Sequence, residues 1–171
     1  MKESLLFLIL LLGLFSDLST HKIPNKLILW GAILGSVFLI CERGIVGIPI
    51  LLIGLILPIC ILVVPYGIGA LGAGDVKLFS IMPGFIGIIP TIMCMIYAFC
   101  IGAIISFIIL LYNKCLIERL KFFFKFLFTV GHTGKLISYY DVNKDGYKHT
   151  MHFSLAILLG TCFYFVQQIL Y

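Results

Sequence analysis

The amino-acid sequence predicts an all-α membrane protein with about six transmembrane helices and its N-terminus outside. Of its 171 residues, 62% are apolar and only 11% are charged, and the mean hydropathy is +1.20. A typical soluble domain carries about 25% charged residues, and a disordered chain has the opposite bias. Six apolar runs, and lysines and arginines that fall mostly on one side of the membrane, also predict this fold class.

Each of six apolar runs is a candidate span, since a spanning helix needs about 20 mostly apolar residues. The first run ends at Asp17 and a basic stretch, without a small-residue cleavage site, so we expect a retained helix rather than a cleaved signal. The fourth run is short and is interrupted by Pro83-Gly84. The runs cover approximately residues 4–18, 27–41, 45–65, 78–90, 91–112 and 151–171.

The distribution of basic residues decides whether the short run at 78–90 crosses the membrane. With six spans and the N-terminus outside, ten of the 12 basic residues fall on the inner side, and only Lys2 and Arg43 remain outside. Without that span, the seven basic residues from Lys114 to Lys148 move outside. Orientation follows the lysine and arginine bias of short loops, so six spans are favoured. The inner membrane face, rather than nucleic acid, explains the net charge of +5.

The longest polar stretch, residues 113–150, is predicted to lie on the inner side as a cytoplasmic and interfacial loop within a single membrane domain of residues 1–171. In this loop the charged residues Lys114, Glu118, Lys121 and Lys125 are spaced four, three and four apart, so they share one face of a helix. Such a basic amphipathic helix lies in the interface of an anionic leaflet. A platform for a protein partner is the alternative.

Two acidic residues are predicted to lie at the inner membrane edge. Asp17 ends the first span and Asp75 opens the fourth, 58 positions later. Carboxylates at a membrane boundary are costly and are therefore candidates for function. A close pair of carboxylates shares a proton and can activate water for peptide hydrolysis without a metal or a covalent intermediate. The alternative is that each aspartate separately caps a helix or pairs with a lysine.

A glycine-rich loop leads into Asp75, with glycines at positions 67, 69, 72 and 74. Glycine permits a left-handed backbone and close approach, which suits a loop that admits an extended peptide beside a carboxylate. Packing of helices through small residues is the alternative. The spacing excludes the glycine-rich phosphate loops of nucleotide-binding proteins.

Two motifs resemble those of the type IV prepilin peptidases. Asp17-Leu-Ser-Thr-His-Lys-Ile-Pro-Asn25 is similar to their D-x5-I-P-N element, and Gly72-Ala-Gly-Asp-Val-Lys77 is similar to their G-x-G-D-x-K element. His152-Phe-Ser-Leu-Ala-Ile-Leu-Leu-Gly160 also resembles the last helix of the family, although a proline common near its start is absent. The resemblance covers nearly the whole chain and is weakest over 113–150.

The resemblance implies an aspartic endopeptidase of the cell membrane with its active site at the cytoplasmic face. Members of the family remove the short basic leader from prepilins and related pseudopilins, usually after a glycine. Carried over by motif, Asp17 and Asp75 are the catalytic pair. Lys77 is about 200° around a helix from Asp75, and we expect it to reach toward lipid headgroups. The motif residues close to the substrate are Ile23, Pro24, Asn25, Gly72, Gly74 and Lys77.

The chain resembles a short form of the family, similar to the peptidases of tight-adherence pili or to archaeal preflagellin peptidases. Long members carry a cytoplasmic four-cysteine zinc motif and N-methylate the new N-terminus, whereas here about eight residues join the first two spans and no C-x-x-C is present. Residues 141–146 begin like a calcium loop, but loop position 12 is His152 instead of Glu. We therefore predict peptidase activity without a metal or cofactor, and methyl transfer is disfavoured.

Two other functions remain open. One is a broader membrane protease of the G-x-G-D type, similar to signal peptide peptidases, which are longer and have more spans. The other is a non-enzymatic membrane subunit or a small transporter, which would favour charges near the bilayer midplane. The peptidase prediction implies a prepilin, pseudopilin or preflagellin substrate and contact with membrane lipids, and it fixes no oligomeric state.

Overall fold

The computed structural model describes residues 1–112 and 152–170, and these residues form helices joined by short turns. The predicted amphipathic helix and the calcium-like loop, both within 113–150, lie outside the described residues. The helices are α1 (Lys2–Thr20), α2 (Asn25–Arg43), α3 (Gly47–Gly67), α4 (Ala73–Ile81), α5 (Pro83–Ile86), α6 (Ile88–Tyr112) and α7 (Phe153–Leu170), with a 3₁₀ turn at Gly44–Val46.

Four helical stretches of the described chain are long and apolar enough to cross a membrane. The second stretch contains α2, the 3₁₀ turn and α3, and because α2 and α3 pack against each other, the chain reverses direction at the turn. Over the described residues the prediction of an all-helical fold is thus confirmed, and several of the helices could span a membrane. The four stretches are Lys2–Thr20, Asn25–Gly67, Ile88–Tyr112 and Phe153–Leu170.

The segment predicted as the fourth span, residues 78–90, is divided between α4 and α5, and its last residues belong to α6. Pro83 has no N–H with which to continue α4, and Gly87, with φ of 88°, ends α5. Residues 73–86 extend about 21 Å at 1.5 Å per residue, which is less than the hydrocarbon thickness of about 30 Å. Residues 78–85 are nevertheless all buried, so this short segment forms the centre of the bundle.

The long helices surround this central segment and expose apolar side chains around the outside of the bundle. Leu10, Leu62, Phe79 and Ile157, from four different helices, are fully buried in one core. In contrast, Leu8, Trp30, Ile53 and Ile104 are each more than half exposed. A helix that is apolar on its inner and outer faces is typical of a chain surrounded by lipid.

The contact between α6 and α7 is the most extensive in the described chain. The two helices run antiparallel, since Pro90 near the start of α6 lines a cavity with Phe165 near the end of α7. Ala98 contacts Gly160 so closely that a Cβ on the glycine would lie 2.6 Å from the Ala98 nitrogen. Nearer the start of α7, Phe153 lies beside Phe99, with ring centroids 5.3 Å apart. Because α7 also packs against α1, its first turn lies next to the end of α1.

Candidate active site

Asp17 occupies the last turn of α1, and the helix ends three residues later at Thr20. The N–H of His21 donates to the carbonyl of Asp17 at 2.9 Å, and His21 adopts a left-handed backbone with φ of 53°. This conformation is a common helix C-cap, and histidine tolerates it better than most residues other than glycine. The hydroxyls of Ser16 and Thr20 donate to the carbonyl of Lys22 at 2.9 and 3.1 Å. Local hydrogen bonds therefore hold Asp17 at the end of α1.

Asp75 is the third residue of α4 and is only 8% exposed. Its Oδ2 accepts a hydrogen bond from the N–H of Gly72 at 3.3 Å. A carboxylate in the first helical turn is favoured because it satisfies a free N–H and complements the helix dipole. A Cβ on Gly72 would lie 3.2 Å from this oxygen, so the glycine leaves room for the carboxylate. Asp75 therefore caps its helix, as the alternative interpretation of this residue predicted.

The carboxyl groups of Asp17 and Asp75 also line the same cavity, which has a volume of about 280 Å³. Burial and, secondly, the charge of Asp17 raise the pKa of Asp75 from 3.8 to about 7, while the hydrogen bond from Gly72 lowers it by less. Asp75 lies in α4, outside the four long apolar stretches. The arrangement places a carboxyl group whose pKa is raised to about 7 at the same cavity as a second carboxyl group. The cavity is lined by Asp17, His21, Lys22, Ile23, Gly72, Ala73, Gly74, Asp75 and Lys77.

Two contacts join the segment after Asp17 to the segment around Asp75. A Cβ on Gly74 would lie 3.0–3.1 Å from three side-chain atoms of Ile23, so the glycine permits this close approach. The ammonium of Lys77 donates to Oδ1 of Asn25 at 2.8 Å. Lys77 was expected to reach toward lipid headgroups, and its hydrogen bond to Asn25 was not predicted. Pro24, which precedes α2 with φ of −62°, and Asn25 do not line the cavity.

The first turn of α7 contributes a residue that sequence reasoning did not single out. The hydroxyl of Ser154, which is 2% exposed, donates to Oδ2 of Asp17 at 2.5 Å. Just before α7, the ring of His152 stacks on that of His21, with centroids 4.8 Å apart. A lone serine in an apolar helix carries no sequence signal of its own. Its place in the segment that resembles the family's last helix was the only available indication.

A comparison with known proteins decides the family. The model of the type IV leader peptidase family matches residues 4–107, which is more than half of the chain and includes both aspartates. The chain belongs to the type IV leader peptidase family. The resemblance predicted from the two motifs is thereby confirmed, and the chain is a protease of the leader-peptidase type. No curated protein and no solved structure gives a significant match.

The match to the leader peptidase family ends before α7, so Ser154 and His152 lie outside the matched residues. Within 1–112 and 152–170, no group of three or more His, Cys, Asp or Glu side chains is arranged to hold a metal ion. The leader-peptidase cavity instead offers two carboxylates, a histidine and two lysines. A pair of carboxyl groups that shares a proton is suited to acid–base activation of water.

Proposed function

We propose that this leader peptidase is an aspartic endopeptidase that removes the short basic leader from prepilin-like proteins at the cytoplasmic membrane face. The observation that carries the proposal is the shared cavity: Asp17 and Asp75, from separate motifs, both line it. The family match supports a leader-type substrate, and the raised pKa of Asp75 supports a pair that holds one proton near neutral pH.

The reaction needs only the two carboxyl groups and water. The ionised carboxylate removes a proton from water while the water oxygen attacks the carbonyl carbon of the scissile amide, and the protonated carboxyl donates to the carbonyl oxygen. Collapse of the tetrahedral diol breaks the C–N bond. In that step the leaving nitrogen receives the proton taken from water, and the diol returns a proton to the other carboxyl group. The pair ends in its initial state.

Membrane orientation is part of the proposal, with six crossings and the N-terminus outside. Contacts at the two ends of the central segment support it: Asp75 lies at the cavity with Asp17, whereas Ile86 lines a second cavity with Lys2 and Glu3 from the start of α1. A segment that reaches both ends of the bundle is consistent with a crossing at residues 78–90. The basic residues predicted on the Asp17 side favour the cytoplasm there.

Processing of a prepilin tests the proposed pair. The full chain is co-expressed with a candidate prepilin, and Asp17→Asn and Asp75→Asn are each expected to reduce cleavage by about 10²–10⁴-fold, so that uncut precursor accumulates. Glu42→Gln is the matched control, because Glu42 is paired with Lys2 away from the cavity. Normal processing by either aspartate variant would exclude the pair.

The position of the cut separates this proposal from a broader intramembrane protease. Mass spectrometry of the product is expected to place the cut before the hydrophobic helix of the substrate. A cut within that helix would favour the signal-peptide-peptidase type instead. Turnover that needs neither aspartate would favour a membrane subunit without catalytic activity.

A further inference from the structure

The start of α7 contacts both of the helices that carry the aspartates. The α7 turn, as we name it, consists of His152, Phe153 and Ser154, which lie beyond the residues matched by the leader peptidase family. The N–H of Leu155 donates to the carbonyl of His152 at 3.1 Å, so these residues form one ordered turn. None of the three lines the cavity that contains the two aspartates, so a substrate in the cavity does not contact them directly.

Two residues of the α7 turn contact the end of α1. The hydroxyl of Ser154, which is 2% exposed, donates to Oδ2 of Asp17, and the ring of His152 stacks on that of His21 with centroids 4.8 Å apart. Asp17 and His21 are themselves joined by a backbone hydrogen bond of 2.9 Å. A hydroxyl can bond to a carboxyl group in either protonation state, so the Ser154 contact bears on the position of Asp17 and not on its charge.

The hydroxyl of Ser154 joins two helices, unlike four other hydroxyls of the bundle. Ser36, Ser80, Thr91 and Thr161 each donate to the carbonyl four residues earlier in their own helix. This intrahelical bond is a common way for a helix to satisfy a hydroxyl away from water. Ser154 instead donates to a carboxyl group on another helix, 137 residues away in the sequence.

The middle residue of the α7 turn contacts α4. The ring centroid of Phe153 lies 6.5 Å from that of Phe79 in α4 and 5.3 Å from that of Phe99 in α6. Aromatic rings attract each other at such separations. Phe79 is fully buried and lies about one helical turn after Asp75. Phe153 therefore holds α4 close to its aspartate.

The α7 turn is the third connection between the two aspartate segments. The first is the contact of Ile23 with Gly74 at the start of α2. The second lies about one turn further along each helix, where a Cβ on Gly13 of α1 would lie 3.4 Å from the side chain of Leu78 in α4. The connection through α7 differs from these two because it holds the Asp17 carboxyl group itself.

We propose that the α7 turn is a set of positioning residues, which hold the end of α1 with Asp17 and the start of α4 with Asp75 in a fixed arrangement. Their role rests on the proposed function and adds positioning residues to that site. His152 and Ser154 act on the last turn of α1, and Phe153 acts on α4. Because catalytic groups must be held in their productive arrangement, loss of these contacts slows the reaction without weakening the binding of substrate.

Steady-state kinetics test this role. The full chain is reconstituted in lipid with a prepilin that the wild-type protein cleaves, and kcat and KM are measured for Ser154→Ala and His152→Ala. Each variant is expected to lower kcat by about 10- to 100-fold, because a shift of about 1 Å in a catalytic group costs about 100-fold in rate. KM is expected to stay within about twofold of the wild-type value, since neither side chain lines the cavity.

Conservative variants and a matched control separate positioning from packing. Ser154→Thr keeps the hydroxyl and His152→Phe keeps a ring that can stack on His21, so both are expected to retain a kcat close to wild type. Thr161→Val removes a fully buried hydroxyl of the same helix that bonds only within α7, and its kcat is expected to be unchanged. If Ser154→Ala does not fold, the comparison of His152→Ala with His152→Phe still tests the role, because His152 is partly exposed and precedes the helix.

A distance measurement tests the arrangement without relying on catalysis. Leu18→Cys, next to Asp17, and Ala73→Cys, at the start of α4, place spin labels at two exposed positions in a chain whose six native cysteines are replaced by alanine. Double electron–electron resonance then gives the distribution of distances between the labels. The combined variant His152→Ala/Ser154→Ala is expected to broaden this distribution, whereas Thr161→Val is expected to leave it as narrow as in the wild type.

Several outcomes would overturn the role of the α7 turn. They are an unchanged kcat in both alanine variants, equal losses in His152→Ala and His152→Phe, and a label distribution that the combined variant leaves narrow. A rise in KM at constant kcat would also do so, because it would place these side chains against the substrate. Failure of the proposed function looks different, since cleavage would then survive Asp17→Asn while the label distances still respond to the combined variant.

Discussion

The two ends of the helix bundle hold cavities of the same size and different chemistry. Each has a volume of about 280 Å³. At one end, two carboxyl groups face the same cavity and one of them is buried. At the other end, Lys2 forms an exposed ion pair of 2.8 Å with Glu42. Cavity volume therefore does not identify the site. What distinguishes it is a buried acid that meets a like charge instead of an opposite one.

Stability provides the largest expected difference between the two ends. Burial raises the pKa of Asp75 to about 7. Between about pH 4 and pH 7 the unfolded chain therefore releases the proton of Asp75 more readily than the folded chain does. The free energy of unfolding falls as the pH rises through this range. Asp75→Asn removes that cost. At pH 8 we expect a gain in the free energy of unfolding of at most about 4 kcal/mol, measured by thermal denaturation in detergent.

The gain from Asp75→Asn should vanish below about pH 4, where the aspartate is protonated in both states. Glu42→Gln, at the opposite end, should show no gain at any pH. A variant Asp75→Asn that is less stable than wild type at pH 8 would contradict the assigned burial cost.

Displacement of α4 should weaken catalysis without removing a carboxyl group. In Gly74→Val the new side chain must displace Ile23, which lies 3.0 Å from the position of the Cβ. A shift of about 1 Å in a catalytic group costs about 100-fold in rate, so we expect a loss of that order in single-turnover cleavage. Gly67→Val is the control, because a Cβ at Gly67 has no neighbour within 4 Å. Equal rates for the two variants would refute this role of Gly74.

A comparison of one lysine from each end should show a smaller effect. Lys77→Met removes the bond of 2.8 Å to Asn25, and we expect cleavage to fall about fivefold, since a hydrogen bond contributes roughly 1 kcal/mol. Lys2→Met removes a lysine of the opposite end and should leave the rate unchanged. A loss in Lys77→Met as large as that in Asp75→Asn would instead place Lys77 in the chemistry.

The smallest effect is expected for the ion pair itself. The Lys2 and Glu42 side chains are 32% and 48% exposed, and exposed pairs contribute about 0.2–1 kcal/mol. A double-mutant cycle with Lys2→Met and Glu42→Gln, followed by denaturation at low and high salt, should give a coupling within that range that weakens with salt. A coupling above about 2 kcal/mol would show that the ion pair is shielded from solvent.

Much of the helical architecture follows from the sequence because long apolar runs have few alternatives in lipid. The ends of α1 and α2 lie close to the predicted limits of 4–18 and 27–41. The segment at 78–90 was harder, since Pro83 divides it and its neighbours bury residues 78–85. A run that is shielded from lipid by other helices need not be long enough to face the bilayer by itself, so length was a poor guide there.

The residues of the candidate site divide in the same way. Asp17 and Asp75 could be singled out because acidic residues are rare in this chain and stand in motifs. Ser154 could not, because its role depends on the approach of α7 to the end of α1, and periodicity alone does not reveal which helices pack together. The bond between Lys77 and Asn25 was missed for the same reason.

The close contact between Gly74 and Ile23 limits which substitutions the two positions can accept together. Since the space beside each residue is set by the other, a larger residue in the second motif should be tolerated only after the first motif has lost bulk. A suppressor screen that starts from Gly74→Val should therefore recover changes such as Ile23→Ala. Substitutions in the two motifs would then be coupled, although two long helices separate the motifs along the chain.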